Sequence, residues 1–398
     1  MSDRFAKIPS GAQVQPTPYQ VSIADDKVDE LKQLVKLGRV GPPTYESTQK
    51  EHNYGVSHQW LTDAKAAWIN FDWRAAEKHI NSYNHWTVPI KDEKGDFTIH
   101  FTGLFSSKAD AVPVVMLHGW PGSFLEFLKI LSILKERYTP ETLPYHVIVP
   151  SLPGYAFSDK PPLDKEFGIR DVSRIVNSLM VQLGFGGGYI AQGGDIGSRI
   201  SRVLAATYDE CKAAHLNFCL MSEPATAQGE VSDAEKKGLE RAKDFDKLGT
   251  AYALMHATRP STIGLILSSS PLALLAWVAS LLQSFHTANA STQIIPVHMI
   301  TRSGRSASHW VTAGSRLSLL LFLAAAAVQN STVTPYNASQ FRSPRSKSLT
   351  NMSLPNPSDR CRADPRPLPD NPEGAHDTPS AAADREKMER AGIGDRRG

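Results

Sequence analysis

Residues 189–200 read YIAQGGDIGSRI. GYIAQGG (188–194) has the texture of a buried strand, and SRISRVLAATY (198–208) has helical period. Between them, positions 193–197 run small, small, Asp, any residue, small. That is the pattern of a nucleophile elbow, where the chain reverses so tightly that the flanking residues must lack bulk. Such a turn lifts the central side chain, here Asp195, above the C-terminal edge of a sheet. The helix that follows aims its first free N–H groups at it. Read without chemistry, the same residues make a glycine-rich strand-to-helix turn with Asp195 as the N-cap.

The surroundings supply the context an elbow requires. VPVVMLHG (112–119) and HVIVPSLPG (146–154) are continuous apolar runs, as in strands buried on both faces, and AAHLNFC (213–219) is a further strand. GSFLEFLKILSILKER (122–137) and RDVSRIVNSLMVQLG (170–184) have helical period. Strand–helix alternation of this kind predicts an α/β fold, with a parallel-type sheet and helices on both faces. DFTIHFTGLF (96–105) alternates like a strand ahead of it.

HGWPGS (118–123) directly follows strand 112–117. A loop in this place supplies a backbone N–H to an oxyanion hole, so the expected donors are the N–H groups of Trp120 and of Ile196, the residue after the elbow aspartate. Gly119 and Pro121 shape that loop, and His118 is expected to hold it as a structural histidine.

An aspartate at the elbow carries a chemical message. A carboxylate that displaces at carbon leaves an ester, which water can cleave, whereas a serine doing so would leave an inert ether. Asp195 therefore predicts attack at sp³ carbon, by epoxide opening or halide loss, and argues against esterase or lipase chemistry.

HGWPGSFLEFLKIL, HVIVPSLPGYAFSDKP, GGYIAQGGDIGSRISRVLA, HLNFC and YALMHATRPSTIGLILSSSPLALLAW resemble the α/β-hydrolase epoxide hydrolases of the microsomal type in their soluble fungal form. Residues 16–90, with WLTDAKAAWINFDWRAAEKHIN, resemble that family's N-terminal wrapping region. The resemblance covers about residues 16–278. It implies a nucleophile at Asp195, an acid at the lid tyrosine Tyr252, no cofactor or metal, a small-molecule epoxide as substrate, and allows a homodimer. A phenol suits the acid role because an opening epoxide becomes an alkoxide that needs a proton or hydrogen bond.

The same resemblance divides the chain into a wrapping segment (1–95), a hydrolase core (96–221), a lid (222–278) and a divergent tail (279–398). Within the first part, 1–18 are expected to be a disordered lead-in, 22–37 a helix, and 58–83 an aromatic-rich segment packed on a larger body. The family pattern stops near residue 279, as a frame change or a retained intron would cause. Residues 343–398 hold eight prolines and no aromatic residue, a composition that cannot build a core, so the last sheet strands are expected to be missing. The family's hydrolytic base is a histidine after its last strand, oriented by an acid and joined by a second lid tyrosine. His256, His286, His298, His309 and His376 do not stand in that context, no acid can be named, and Tyr336 is only faintly similar to the second tyrosine. An enzyme impaired in ester release, a non-catalytic remnant or binding protein, and a haloalkane dehalogenase are thus the alternatives to an intact hydrolase.

Bulk properties narrow the remaining classes. A net charge of +3 with no Lys/Arg run excludes a nucleic-acid or anionic-membrane partner as the expectation. Cys211, Cys219 and Cys361 have no paired spacing, and no P-loop, HExxH or Cys/His cluster occurs, which excludes a disulfide framework and a zinc site. The start of the chain lacks an apolar leader, and with the thiols this predicts a cytoplasmic protein, its four N-x-S/T sequons being chance matches. IGLILSSSPLALLAWVASLL (263–282) is long enough to span a membrane, but Pro271 and its serines make a buried helix pair the expected form; SLLLFLAAAAV (318–328) is too short to span.

Overall fold

The computed structural model describes residues 4–49, 54–219 and 231–288, without the side chains of 282–288. The expectations for His298, His309, His376, Tyr336, Cys361, the sequons and the tail beyond 288 lie outside the described residues, as do the His286 side chain and residues 220–230.

Seven strands form one sheet: β1 (Thr17–Tyr19), β2 (His85–Asp92), β3 (Gly95–Leu104), β4 (Val112–Leu117), β5 (Tyr145–Pro150), β6 (Tyr189–Gly193) and β7 (Cys211–Leu216). Their order is β1-β2-β3-β5-β4-β6-β7. The β5-β4-β6-β7 part is parallel, as expected. The β1-β2-β3-β5 part is antiparallel, so the parallel-type sheet carries an antiparallel N-terminal half. The reason is connection length. Strands β2 and β3 are joined by a tight turn that pairs Asp92 with Gly95, too short for the crossover that a parallel pair needs. Each parallel step instead spans a helix: α5 (Leu128–Arg137) between β4 and β5, α6 (Ile169–Met180) between β5 and β6, and α7 (Asp195–Thr207) between β6 and β7.

Strand β2 adds to the expected elements, although Trp86, Val88 and Ile90 carry a period of two and are all buried. Before the sheet lie α1 (Asp25–Leu37), α2 (Tyr45–Thr48), α3 (His58–Ile69) and α4 (Trp73–Ile80). The aromatic load of this region is explained by packing: Trp68, Trp73 and Ile80 share one apolar cluster with Leu128 and Leu131 of α5. A second cluster joins Val115 and Ile148 of the sheet to Ile175 and Leu179 of α6 and Ile200 and Leu204 of α7. Side chains buried to this extent contribute about 1.5–3 kcal/mol each.

The disordered lead-in is corrected as well. Phe5 is 2% exposed. Its carbonyl accepts the Phe105 N–H at 2.9 Å, and the Gln13 N–H donates to the Gln182 carbonyl at 2.8 Å. A few anchors spaced along a polar segment suffice to order it once the body they dock against exists.

After β7 come α8 (Asp233–Asp244), which buries no residue, α9 (Ala251–Thr258), α10 (Pro260–Ser269) and α11 (Pro271–Ala288). Helices α10 and α11 bend by 119° at their junction. Ile263, Leu267, Leu272, Leu275 and Val278 are buried in the cluster that holds the N-terminal helices. This is the expected buried pair. Among the described residues no single helix is long and apolar enough to cross a membrane.

Candidate active site

The elbow forms where β6 hands over to α7. Asp195 is the first residue of α7 and has φ +44°, a left-handed conformation that costs a non-glycine residue about 1–3 kcal/mol. Its neighbours show why they are small. A Cβ on Gly197 would collide with the Leu117 and His118 carbonyls, and one on Gly193 with the Gly197 backbone. The elbow is thus wedged against the end of β4, which brings the HGWPGS loop over the aspartate.

That loop grips the carboxylate. The Trp120 N–H donates to Asp195 Oδ1 at 2.9 Å, and the Ile196 N–H also donates to the carboxylate. Gly119 permits the approach, since a Cβ there would overlap Asp195 Oδ1 and Cβ. Burial pushes the Asp195 carboxyl up, while the two N–H donors and the Arg199 charge pull it back. The loop is fixed from below by His118. Its Nε2 accepts the Leu152 N–H at 3.1 Å, so its proton sits on Nδ1, which faces the Gly119 carbonyl at 3.2 Å. Burial holds its pKa down to about 4, so the ring is neutral. The Trp120–Pro121 peptide is cis.

Tyr252 reaches the same place from α9. Its ring stacks on Trp120 with centroids 5.8 Å apart and planes at 24°. Burial first, and the Asp195 charge second, push its phenol up to about 12, so it is a proton donor throughout the neutral range. The structure therefore brings together Asp195, Trp120, Ile196, His118, Gly119, Pro121 and Tyr252, although Ala251 at the start of α9 lies 133 positions after His118.

Three further side chains join them. His256, one turn after Tyr252, is fully buried with its ring 4.5 Å from Trp120 and 5.6 Å from Tyr252. Its Nε2 accepts the Trp277 Nε1–H at 3.1 Å, which ties α9 to α11, and burial lowers its pKa to about 4. Tyr155, in the loop after β5, lies 4.9 Å from the His118 ring, and burial followed by the Asp195 and Glu126 charges raises its phenol well above the usual value. Glu126 stands in the 3-10 turn Phe124–Phe127 that leads into α5. Its Oε1 accepts the Ser123 N–H at 3.1 Å. The sequence signal for Glu126 is the capping box Ser-x-x-Glu, which by itself says helix start and not active site. Nothing in the sequence marks Tyr155. Among the described residues, no group of His, Cys, Asp or Glu side chains could hold a metal ion.

A sheet with a parallel C-terminal half, crossover helices and an elbow between β6 and α7 defines an α/β-hydrolase, here with an aspartate on its elbow. Residues 112–281 match the family model "alpha/beta hydrolase fold", and residues 16–127 match "Epoxide hydrolase N terminus". A putative epoxide hydrolase of Dothistroma septosporum is 43% identical over 295 residues, covering 73% of this chain and 70% of that protein. Epoxide hydrolase 1 of Sus scrofa is 32% identical, covering 68% and 62%. The solved structure of Aspergillus niger epoxide hydrolase aligns with TM-score 0.73 at 44% identity, covering 85% of this chain and 81% of that one. The chain belongs to the epoxide hydrolase family, as the resemblance over residues 16–278 implied.

Proposed function

We propose that the protein hydrolyses epoxides to vicinal diols through an ester on Asp195. The observation that carries this reading is the carboxylate itself, raised on a left-handed elbow residue with one oxygen 2.9 Å from the Trp120 N–H. The held oxygen becomes the ester carbonyl, and the other attacks the epoxide carbon. The carbon–oxygen bond of the ring breaks, and Tyr252 gives its proton to the opening alkoxide. A departing halide would call for halide-binding donors and not for a phenol, so Tyr252 favours an epoxide. The rings of Trp120 and Tyr252 beside the carboxylate support an aromatic epoxide, for which styrene oxide is a suitable probe. The free thiols of Cys211 and Cys219 support a reducing compartment, and we place the protein in the cytoplasm.

In the second step water attacks the ester carbonyl, and the two N–H donors stabilise the oxyanion that forms. Attack is thus assigned to residues the structure describes. The base for release is a separate matter. At the site the acceptor nitrogens of His118 and His256 are both taken, by the Leu152 and Trp277 N–H groups.

Purified full-length protein incubated with styrene oxide should give the diol, and Asp195→Asn should give none. Intact-mass spectra should show the epoxide adduct only in protein that carries Asp195. Diol formation by Asp195→Asn, or neither diol nor adduct from the wild type, overturns the reading.

A further inference from the structure

Strands β2 and β3 carry two histidines into the core, where strand faces ordinarily hold apolar side chains. His85 is 4% exposed and His100 is fully buried. Their rings stack with centroids 5.2 Å apart, and the Phe124 ring packs against both. Every ring nitrogen of the pair has a partner. His85 Nε2 lies 2.9 Å from the Ile80 carbonyl at the end of α4, which can only accept, so that nitrogen carries the proton. Burial lowers both pKa values, and the rings are neutral. His85 Nδ1 therefore accepts the His100 Nε2–H at 3.1 Å, and His100 Nδ1 accepts the Ser151 hydroxyl at 2.8 Å. One carbonyl thus fixes the tautomers of two rings and turns an acceptor toward the loop after β5.

The next residue ties that loop to the active site. The Leu152 N–H donates to His118 Nε2, and His118 Nδ1–H faces the Gly119 carbonyl. The peptide after Gly119 carries the Trp120 N–H that holds Asp195. Ser151, Leu152 and His118 are all buried. The Ser151 N–H also donates to the His100 carbonyl at 2.8 Å. Ser158 Oγ closes the arrangement, accepting the His100 N–H at 3.0 Å and donating to the Ser151 carbonyl at 2.7 Å. Covalent and hydrogen bonds therefore run without a break from the end of α4 to the elbow aspartate. A buried network whose members are all satisfied rigidifies what it touches.

We propose that His85, His100 and Ser151 are positioning residues for ester release. They set the place of the Leu152 N–H and, through His118, the aim of the Trp120 N–H at Asp195. The proposal rests on the ester chemistry above and extends it to groups that do not touch substrate. Its effect is selective. The Trp120 N–H is needed most when the oxyanion forms, so a small displacement of the 118–120 loop costs release more than alkylation. The Ser151 hydroxyl joins the rings to the loop, and it is the place where the network can be cut with the least loss of packing.

The test is Ser151→Ala, with a thermal melt to check the fold. It should alkylate at Asp195 with styrene oxide at the wild-type rate. Release should slow about tenfold, the scale of one neutral hydrogen bond, so that the adduct accumulates. Amide exchange of residues 118–123 should quicken by a similar factor while the rest of the sheet keeps its protection. His100→Asn, whose side-chain oxygen stands two bonds from Cβ as Nδ1 does, should release at nearly the wild-type rate, a rescue that a packing role would not give. In Ser151→Ala/Gly119→Ala the two losses should not multiply, because both act through the Trp120 N–H. Should Ser151→Ala not fold, Ser151→Cys, which fills the place with a weak donor, carries the same expectations. Wild-type release with unchanged exchange in Ser151→Ala overturns the proposal. So does an equal slowing of alkylation and release, a multiplied loss in the double variant, or a folded His100→Asn as slow as Ser151→Ala. Failure of the underlying ester reading is separately visible. The wild type would then form neither adduct nor diol, while amide exchange would still report on the link from Ser151 to Trp120.

Discussion

Gly119→Ala tests the elbow with one methyl group. The added Cβ would fall on Asp195 Oδ1 and Cβ, with Cγ 2.9 Å away. The aspartate has little room to yield, because its backbone is fixed in the left-handed region and the Gly193–Gly197 contact wedges the elbow against β4. The loop must therefore lift, and the 2.9 Å bond from the Trp120 N–H to Oδ1 is what breaks. Removing one oxyanion donor costs about 10²–10³ in rate, or about 2.7–4 kcal/mol of transition-state stabilisation. The loss should fall mainly on ester release, where the oxyanion forms, and less on alkylation. Rapid-quench mass spectrometry of the Asp195 adduct separates the two rates, and a thermal melt checks that the fold persists. A folded Gly119→Ala protein that releases the diol at the wild-type rate would refute the assignment of Trp120 as an oxyanion donor.

Tyr252→Phe should slow alkylation by about 10²–10⁴, the contribution of a positioned acid, while leaving the stacking on Trp120 in place; alkylation at an unchanged rate would remove Tyr252 from the mechanism. Asp92 lies 3% exposed and accepts two hydrogen bonds from Arg174, at 2.6 and 2.9 Å, which hold its carboxyl below the usual range. Asp92→Asn should cost about 1.5–3 kcal/mol in urea unfolding at pH 7, and the gap should close as pH falls through that lowered range, because a depressed carboxyl stabilises only while ionised. Glu126 gives the opposite sign. Its raised carboxyl keeps a proton in the fold that the unfolded chain loses near 4.5, so stability drains as pH rises from there through about 8. Glu126→Gln should gain stability relative to the wild type across that interval, and parallel urea-midpoint curves for the two proteins would contradict a raised Glu126 carboxyl.

Much of this molecule is local. Strands β4, β5 and β6, the helices that follow them, and the elbow at 193–197 are legible because each is set by short-range pattern: apolar runs, helical period and small residues around one aspartate. The residue type at 195 is the basis of the proposed attack by the same kind of argument, since an ester can be hydrolysed and an ether cannot. What the sequence hides is non-local. Phe5 and β1 are ordered only by partners about 70 to 100 residues further on, so their own composition reads as disorder. The antiparallel half of the sheet follows from which strands find each other, and that is decided by pairing across the fold. Tyr252 and Trp120 can be named from sequence, but their stacking depends on how α9 settles over the loop after β4. Glu126 is the sharpest case. In sequence it is a helix-capping glutamate, and only the fold supplies the desolvation, and after it the charge of Asp195 from 69 residues later in the chain, that push its carboxyl up. Sequence by itself put an aspartate on the elbow, the residue we propose attacks; the tertiary structure decided which groups surround it, because desolvation and charge act through space and not along the chain.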